Sequence, residues 1–295
     1  MFIQMNKLEG ELALFLEKYR SEKNFHPEEW IIWICNDFNN YLKDNNLSGA
    51  VVSISGGIDS SVTLLLLKRV SELPNSNLKK IYAVNQPIHS SKWSIDRPSE
   101  LCAKFGIEMI TVDQTENHDN LIEKINGQVN KRGNLFSQGL FRSYLRTPIN
   151  YYLSQLLNEQ GFPSVVVGTG NKDEDGYLGY YCKYGDGGVD IQLISKLHKS
   201  EVFTVGKYLG VPESTLNAPP SADLWDNQED ETELGVSYDF VELYTGYYLS
   251  LSEKDKITFV EELTVESRYD FIKYKTICDT VHAKNAHKFK GVINL

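Results

Sequence analysis

Residues 49–61 read GAVVSISGGIDSS, and the reading of this stretch decides the fold. Gly49 to Ile54 is a short, continuously apolar, β-branched run, as expected of a strand buried on both faces. Small residues then make a turn, and a helical pattern runs from Ser60 to Leu73. Strand, loop and helix in this order aim backbone N–H groups and the positive end of a helix at one point, where an anion binds. Ser53, Ser55, Gly56, Gly57 and Ser60 offer hydroxyls and bare backbone to a phosphate, while Asp59 offers a carboxylate to Mg2+. No lysine follows the glycines, so this is not a Walker A loop, and chemistry at the β/γ bond of a nucleotide is disfavoured. A plain glycine turn capping a helix is the alternative.

Outward from this unit the alternation continues. Lys80–Asn85 reads as a strand, Pro98–Phe105 as a helix, Ile107–Val112 as a strand, 117–130 and 142–160 as helices, and Ser164–Thr169 as a strand. Strands that alternate with helices predict an α/β fold, a parallel sheet with helices on both faces. Ligands in such sheets sit beyond the carboxyl ends of strands, which directs attention to the loops after Ile54 and Val167. Residues 1–48 read as two helices, the second opened by Pro27 and carrying Trp30, Ile34, Phe38 and Leu42 as a packing stripe. A further helix is expected near Lys199–Leu209, and the tail from 253 to 286 is mostly helical. With no internal repeat or low-complexity linker, the expected organisation is an N-terminal helical extension, 1–48, and one domain, 49–295.

Composition narrows the function. Of 295 residues, 40 are acidic and 30 basic, a formal charge of -10, which argues against a nucleic-acid coat or a polybasic membrane clamp. An anionic ligand therefore needs local positive charge. The longest apolar runs fall far short of the roughly 18 residues that span a bilayer, and no secretory signal opens the chain, so a cytoplasmic protein without a membrane partner is expected. Cys35, Cys102, Cys182 and Cys278 show no metal-ligand spacing and read as reduced, structural thiols.

A second polar cluster reads GTGNKDEDG at 168–176 and KYGDGGVD at 183–190. NKDE imitates a guanine-recognition box but lacks a Walker partner. Asn171, Asp173, Asp175 and Gly176 imitate the start of an EF-hand loop, yet Cys182 stands where its last ligand belongs. The glycines of YGDGG suit a tight turn near a ligand, and Lys183, Asp186 and Asp190 add mixed charge. The stretch from 226 to 235, DNQEDETELG, is by composition a solvated loop.

Taken together, SISGGIDSS at 53–61, VVGTGNKDE at 166–174, KYGDGGVDI at 183–191 and PSADLWDNQEDETELGVSYD at 220–239 resemble the ammonia-dependent NAD synthetases, in that family's order. Those enzymes belong to the N-type ATP pyrophosphatases, with an adenine nucleotide alpha hydrolase-like fold, here with helical additions at both ends. The resemblance covers roughly residues 50–295. It implies a homodimer that uses ATP and Mg2+ to adenylate the nicotinate carboxylate of deamido-NAD, after which ammonia displaces AMP. By position, Ser55, Gly57, Asp59 and Ser60 would hold pyrophosphate, and Thr169, Lys199 and Ser221 would contact ATP. Asp59 and Glu174 would hold the metal, while Lys183, Asp190, His287 and Lys288 would meet the dinucleotide. Asp186 is a candidate for orienting ammonia or accepting its proton.

Two departures from the family pattern stand out. The segment from Glu174 to Lys183 is one position longer than usual, which leaves Asp175 as an alternative metal ligand. The pattern GNxxARxRM is disturbed after Gly133-Asn134: with Arg146 as its second arginine, Tyr144 replaces the first, and Arg142 would substitute from one helical turn earlier. The acceptor is therefore open between deamido-NAD and a smaller nicotinate nucleotide. Other AMP-transferring relatives, such as a GMP synthetase-like enzyme or a tRNA-modifying ligase, and a non-catalytic nucleotide-binding regulator are the competing readings. The 48 residues before the catalytic region are too few for an amidase domain, so the expected nitrogen donor is free ammonia, with no glutaminase domain in the chain.

Overall fold

In the computed structural model, the run read as a buried strand is β1, Gly49–Ser53, with Val51 and Val52 wholly buried. The model describes residues 7–221, 223–224 and 228–295, so Ala222 and residues 225–227 of the acidic motif lie outside the described residues. The other strands are β2 (Lys80–Asn85), β3 (Met109–Thr111), β4 (Ser164–Gly168) and β5 (Ile191–Gln192). All pair in parallel in the order β3-β2-β1-β4-β5. The chain builds outward from β1 to β3, then crosses back to lay β4 on the other side of β1. That reversal makes the carboxyl ends of β1 and β4 the switch point, where a crevice opens.

Alternation along β1 explains the two covered faces. Ala50 and Val52 pack with helices Pro27–Asp44, Ile58–Ser71 and Lys199–Leu209, while Val51 and Val84 face Leu157 of the long helix Leu135–Glu159. Helix Ile58–Ser71 is buried nearly all round, including Val62, Leu64, Leu65, Leu66, Leu67 and Val70. Each such side chain contributes about 1.5–3 kcal/mol on burial, so the helix that ends the glycine loop is held rigidly. A second apolar core joins the first helix, Gly10–Lys23, through Leu12 and Leu16, to Phe240, Tyr244, Phe259 and Phe271 of the C-terminal helices. The two N-terminal helices therefore serve different cores. None of the described helices is long and apolar enough to cross a membrane.

Some boundaries differ from the pattern reading. The loop helix opens at Ile58, which brings Asp59 into its first turn, and the helix read from Pro98 opens earlier, at Trp93. The disturbed segment after Asn134 is helical throughout: the Asn134 side chain accepts from the Ser137 N–H and caps a helix of 25 residues.

Candidate active site

The turn SISGGIDS takes its shape from Gly56, whose φ of +84° places it in the left-handed region. A Cβ there would also lie 2.9 Å from Pro98 Cδ, so both conformation and space demand glycine. Ser60 Oγ accepts from the Ser55 N–H at 3.2 Å and donates to the Gly57 carbonyl at 3.1 Å, closing the loop on itself. At β4 the backbone is equally bare: a Cβ on Gly168 would stand 2.6 Å from Val189 Cγ2.

Between the two loops lies a buried charge cluster. Lys199, 2% exposed, donates from Nζ to Asp59 Oδ2 at 2.6 Å and to Glu174 Oε1 at 2.7 Å. Asn171 donates to Asp59 Oδ1 at 3.0 Å, and its own Oδ1 receives the Asp173 and Glu174 N–H groups, capping the π-helical turn Lys172–Leu178. Asp173, fully buried, binds His198 Nδ1 at 2.6 Å and the Lys199 N–H at 2.7 Å, which fixes the start of the helix bearing the lysine. Tyr238 donates to Glu174 Oε1 at 2.6 Å and reaches Asp230 Oδ2 at 3.3 Å.

Electrostatics follow from this geometry. Burial pulls the Lys199 pKa down, but Asp59 and Glu174 more than offset this and hold the amine protonated. Burial pushes Asp59 above the usual carboxylate range against the pull of Lys199. For Glu174 burial acts upward too, yet the charge and hydrogen bond of Lys199, with the Tyr238 hydroxyl, hold it below that range.

Asp175 does not enter this cluster. It takes Gln192 Nε2 on Oδ2 at 2.7 Å, and burial with the nearby Asp186 pushes it up to about 8. Its folded pKa is raised, so the unfolded chain releases this proton first and stability falls as pH rises from about 4 to about 8. Asp175→Asn removes that dependence. The melting temperature of the variant relative to the native chain is expected to climb across this window, and a difference independent of pH would contradict the assignment.

The cavity between these loops is lined by Ser53, Ser55, Gly57, Asp59, Ser60, Thr169, Glu174, Asp186, Lys199 and Ser221. Ser53 Oγ donates to Asn150 Oδ1 at 3.0 Å, and Gln86 Nε2 reaches the same oxygen at 2.7 Å. Asp186 takes Ser143 Oγ at 2.8 Å and the Cys182 N–H at 2.9 Å, and burial raises its pKa. Arg146 lines the cavity with Nε on the Gln86 carbonyl at 3.3 Å. Arg142, the proposed substitute, is not among the lining residues, and its buried Nε has no hydrogen-bond partner.

The remaining residues lie outside the lining. Lys183 Nζ donates to the carbonyls of His287 and Gly291 at 3.2 and 2.9 Å, and Lys288 Nζ to those of Gly179 and Tyr181 at 2.8 and 2.6 Å, so the tail and the YGDGG region are tied together. Asp190 binds the Val166 N–H at 2.8 Å and the Tyr151 hydroxyl at 3.0 Å.

Sequence reasoning missed Asn171, Asp173, His198, Asp230 and Tyr238, which frame the charge cluster, and Gln86, Arg97 and Asn150 on the cavity wall. Asn171 and Asp173 stood in the stretch set aside as a false guanine box. Asp230 is only 5% exposed, so this part of the acidic stretch is not a solvated loop. Arg97 stacks on Trp93 at 4.4 Å and, with Arg146 and Lys199, supplies the local positive charge that the net charge withholds.

An open parallel sheet with a lysine-free glycine loop at its switch point and buried carboxylates beside it has the architecture of a ligand-binding α/β protein. The NAD synthase family profile matches residues 31–291. The NH(3)-dependent NAD(+) synthetase of Alkaliphilus oremlandii is 38% identical over 229 residues, 75% of this chain and 86% of that protein. That of Sulfurisphaera tokodaii is 31% identical over 254 residues, 85% and 84% of the two chains. Among solved structures, NMN synthetase from Francisella tularensis superposes with a TM-score of 0.73 at 27% identity, covering 92% of this chain and 99% of that one. NH3-dependent NAD synthetase from Campylobacter jejuni gives 0.68 at 24% identity, covering 92% and 100%, and shares the fold. The chain belongs to the NAD synthase family.

Proposed function

We propose that this chain joins ammonia to the nicotinate carboxylate of deamido-NAD at the expense of ATP, releasing NAD, AMP and pyrophosphate. The observation that carries this reading is the convergence of Asp59 and Glu174 on Lys199 beside the SGGIDS loop. A carboxylate does not acylate ammonia because oxide is too poor a leaving group, whereas AMP leaves readily from a mixed anhydride. The substrate carboxylate oxygen attacks the α-phosphorus and pyrophosphate departs. Ammonia then attacks the carbonyl carbon, the bond to AMP breaks, and the nitrogen loses a proton.

In this scheme the N–H groups and hydroxyls of Ser55, Gly57 and Ser60 receive the departing pyrophosphate, while Thr169 and Ser221 position the nucleotide. Lys199 places its charge where negative charge accumulates. Arg146 and Arg97 serve anionic groups of the substrates, and Asp186, whose raised pKa favours proton uptake, accepts the proton from nitrogen. Lys183, Asp190, His287 and Lys288, with Arg142, would engage the dinucleotide by rearranging from the contacts described above.

Two desolvated carboxylates that share one ammonium suit a hard dication, and Asp59 and Glu174 would hold Mg2+. When bound, that ion supplies further charge neutralisation at the phosphates. Glu174→Gln should consequently cost far more turnover than Asp175→Asn in paired kinetics, since only Glu174 joins Asp59. The reverse order would move the metal role to Asp175.

Ammonia as direct donor fits the thiols. All four cysteines are buried, and burial pushes Cys35 and Cys102 up to about 11 and Cys278 to about 12, so none offers a ready thiolate for glutamine hydrolysis. At fixed total ammonium, activity should rise with pH as NH4+ gives way to NH3. Glutamine with purified, ammonia-free protein should yield no amide, and efficient glutamine-driven turnover would contradict this. A homodimer is expected from the family resemblance.

The acceptor is tested by supplying ATP, Mg2+ and ammonium with deamido-NAD or nicotinate mononucleotide, and reading products by mass spectrometry. A higher kcat/KM for the dinucleotide is expected. The opposite preference would give the chain the mononucleotide reaction, the second reading, which Tyr144 and the likeness to an NMN synthetase favour.

A further inference from the structure

Outside the phosphate site, two imidazoles and a carboxylate meet at the edge of the cavity wall. Asp119 Oδ1 lies 2.7 Å from His89 Nε2 and 2.9 Å from His118 Nδ1. The ligand atoms of the three residues all fall within 4.8 Å of one another, the one such cluster of three or more among the described residues. His118 is 2% exposed, and its Nε2 has no hydrogen-bond partner. His89 and Asp119 are exposed, which leaves a solvent-facing side for further ligands.

The three residues come from two elements that need joining. His89 belongs to the loop that follows β2, where it adopts a left-handed φ of 49°, whereas His118 and Asp119 lie in helix Thr115–Val129. The loop is already tethered to the start of that helix: the Gln114 N–H donates to the Pro87 carbonyl at 3.0 Å, and the His89 N–H to Thr115 Oγ1 at 3.2 Å. Gln86, Pro87 and Ser90 of the same loop line the cavity. Whatever fixes His89 to the helix therefore fixes that wall.

We propose that His89, His118 and Asp119 bind a transition-metal dication of the zinc class, which clamps the loop after β2 to helix Thr115–Val129. Two imidazole nitrogens and one carboxylate form a donor set for Zn2+, Co2+ or Ni2+, whereas Mg2+ prefers an all-oxygen shell. Bonds of roughly 2.0–2.1 Å to a tetrahedral ion place neighbouring ligand atoms about 3.3 Å apart. The two His–Asp separations need to open by about half an ångström, and the two imidazole nitrogens, within 4.8 Å of each other, need to come to the same spacing, which side-chain rotations can supply. One ion would thus replace two hydrogen bonds to a single carboxylate oxygen, and water would complete its shell. This site is separate from Asp59 and Glu174 and does not depend on the reaction assigned above.

The test uses tag-free, chelator-treated full-length protein titrated with Co2+ in excess Mg2+, followed by its visible absorption and then by displacement with Zn2+. One saturable equivalent is expected, with slower hydrogen exchange across residues 86–91 when Zn2+ is bound. His89→Ala, an exposed substitution that leaves packing intact, and Asp119→Asn should each weaken binding by at least roughly tenfold. Asp59→Asn should leave it unchanged. Absence of saturable Co2+ binding, binding that survives both His89→Ala and Asp119→Asn, or binding lost in Asp59→Asn would overturn the proposal.

Discussion

Replacing Lys199 by Met is expected to reduce turnover by on the order of 10²–10³-fold and to lower stability by about 3–5 kcal/mol in chelator. Both effects have one origin. The ammonium, itself buried, is hydrogen-bonded to Asp59 and Glu174 at 2.6 and 2.7 Å, so its removal leaves two largely buried carboxylates facing each other without a counter-charge. They must take up a proton or repel, and either outcome weakens the SGGIDS loop, the proposed seat of the phosphates. Added Mg2+ should raise the melting temperature of Lys199→Met more than that of the native chain, because it restores positive charge between the same oxygens. Calorimetry with and without Mg2+, beside kinetics, checks this. An unchanged melting temperature together with near-native turnover would remove Lys199 from the centre of the account.

Asp59→Asn should behave differently. The amide keeps the shape of the side chain and an oxygen for Asn171, and Lys199 retains Glu174, so the fold should persist with a modest change in stability. Turnover should nevertheless fall by on the order of 10²–10³-fold, because the variant removes a negative charge from the proposed Mg2+ site. The apparent Mg2+ requirement should shift upward as well. Near-normal turnover with unchanged Mg2+ dependence would show that Asp59 is a structural partner of Lys199 and nothing more.

These two residues also mark how far the sequence could be read. Asp59 was legible because it stands inside a strand–loop–helix unit whose signals are local: a buried apolar run, adjacent glycines and a helix start. Sheet type followed from the same local alternation, since strands apolar on both faces need cover on both sides. The partners of Asp59 were harder. Lys199 lies 140 positions away, and only the resemblance singled it out. His198, fully buried behind it, carried no local signal, because a His beside a Lys reads as an ordinary polar helix start, and Asp173, equally buried, stood in a stretch whose motif likenesses pointed elsewhere.

The acidic stretch illustrates the opposite error. By composition Asp230 belongs to a solvated loop, yet burial and the nearby Glu174 push its pKa up to about 7, and Tyr238 covers it. Pattern reasoning sees charge density and cannot see which carboxylate the fold turns inward. Similarly, Arg142 sits one helical turn before Arg146, and in sequence it could stand in for the arginine that Tyr144 replaces. The helix that begins at Leu135 brings Arg146 to the cavity lining and leaves Arg142 out of it.

The central claim is that the chain activates a carboxylate by transferring AMP to it. Deamido-NAD labelled with 18O in the nicotinate carboxylate tests this most directly, because the attacking oxygen forms the bond to phosphorus and departs with AMP when ammonia displaces it. After turnover with ATP, Mg2+ and ammonium, mass spectrometry should find one labelled oxygen in AMP and none in pyrophosphate. Label in inorganic phosphate with ADP as coproduct, or amide formation that leaves AMP unlabelled, would contradict the account.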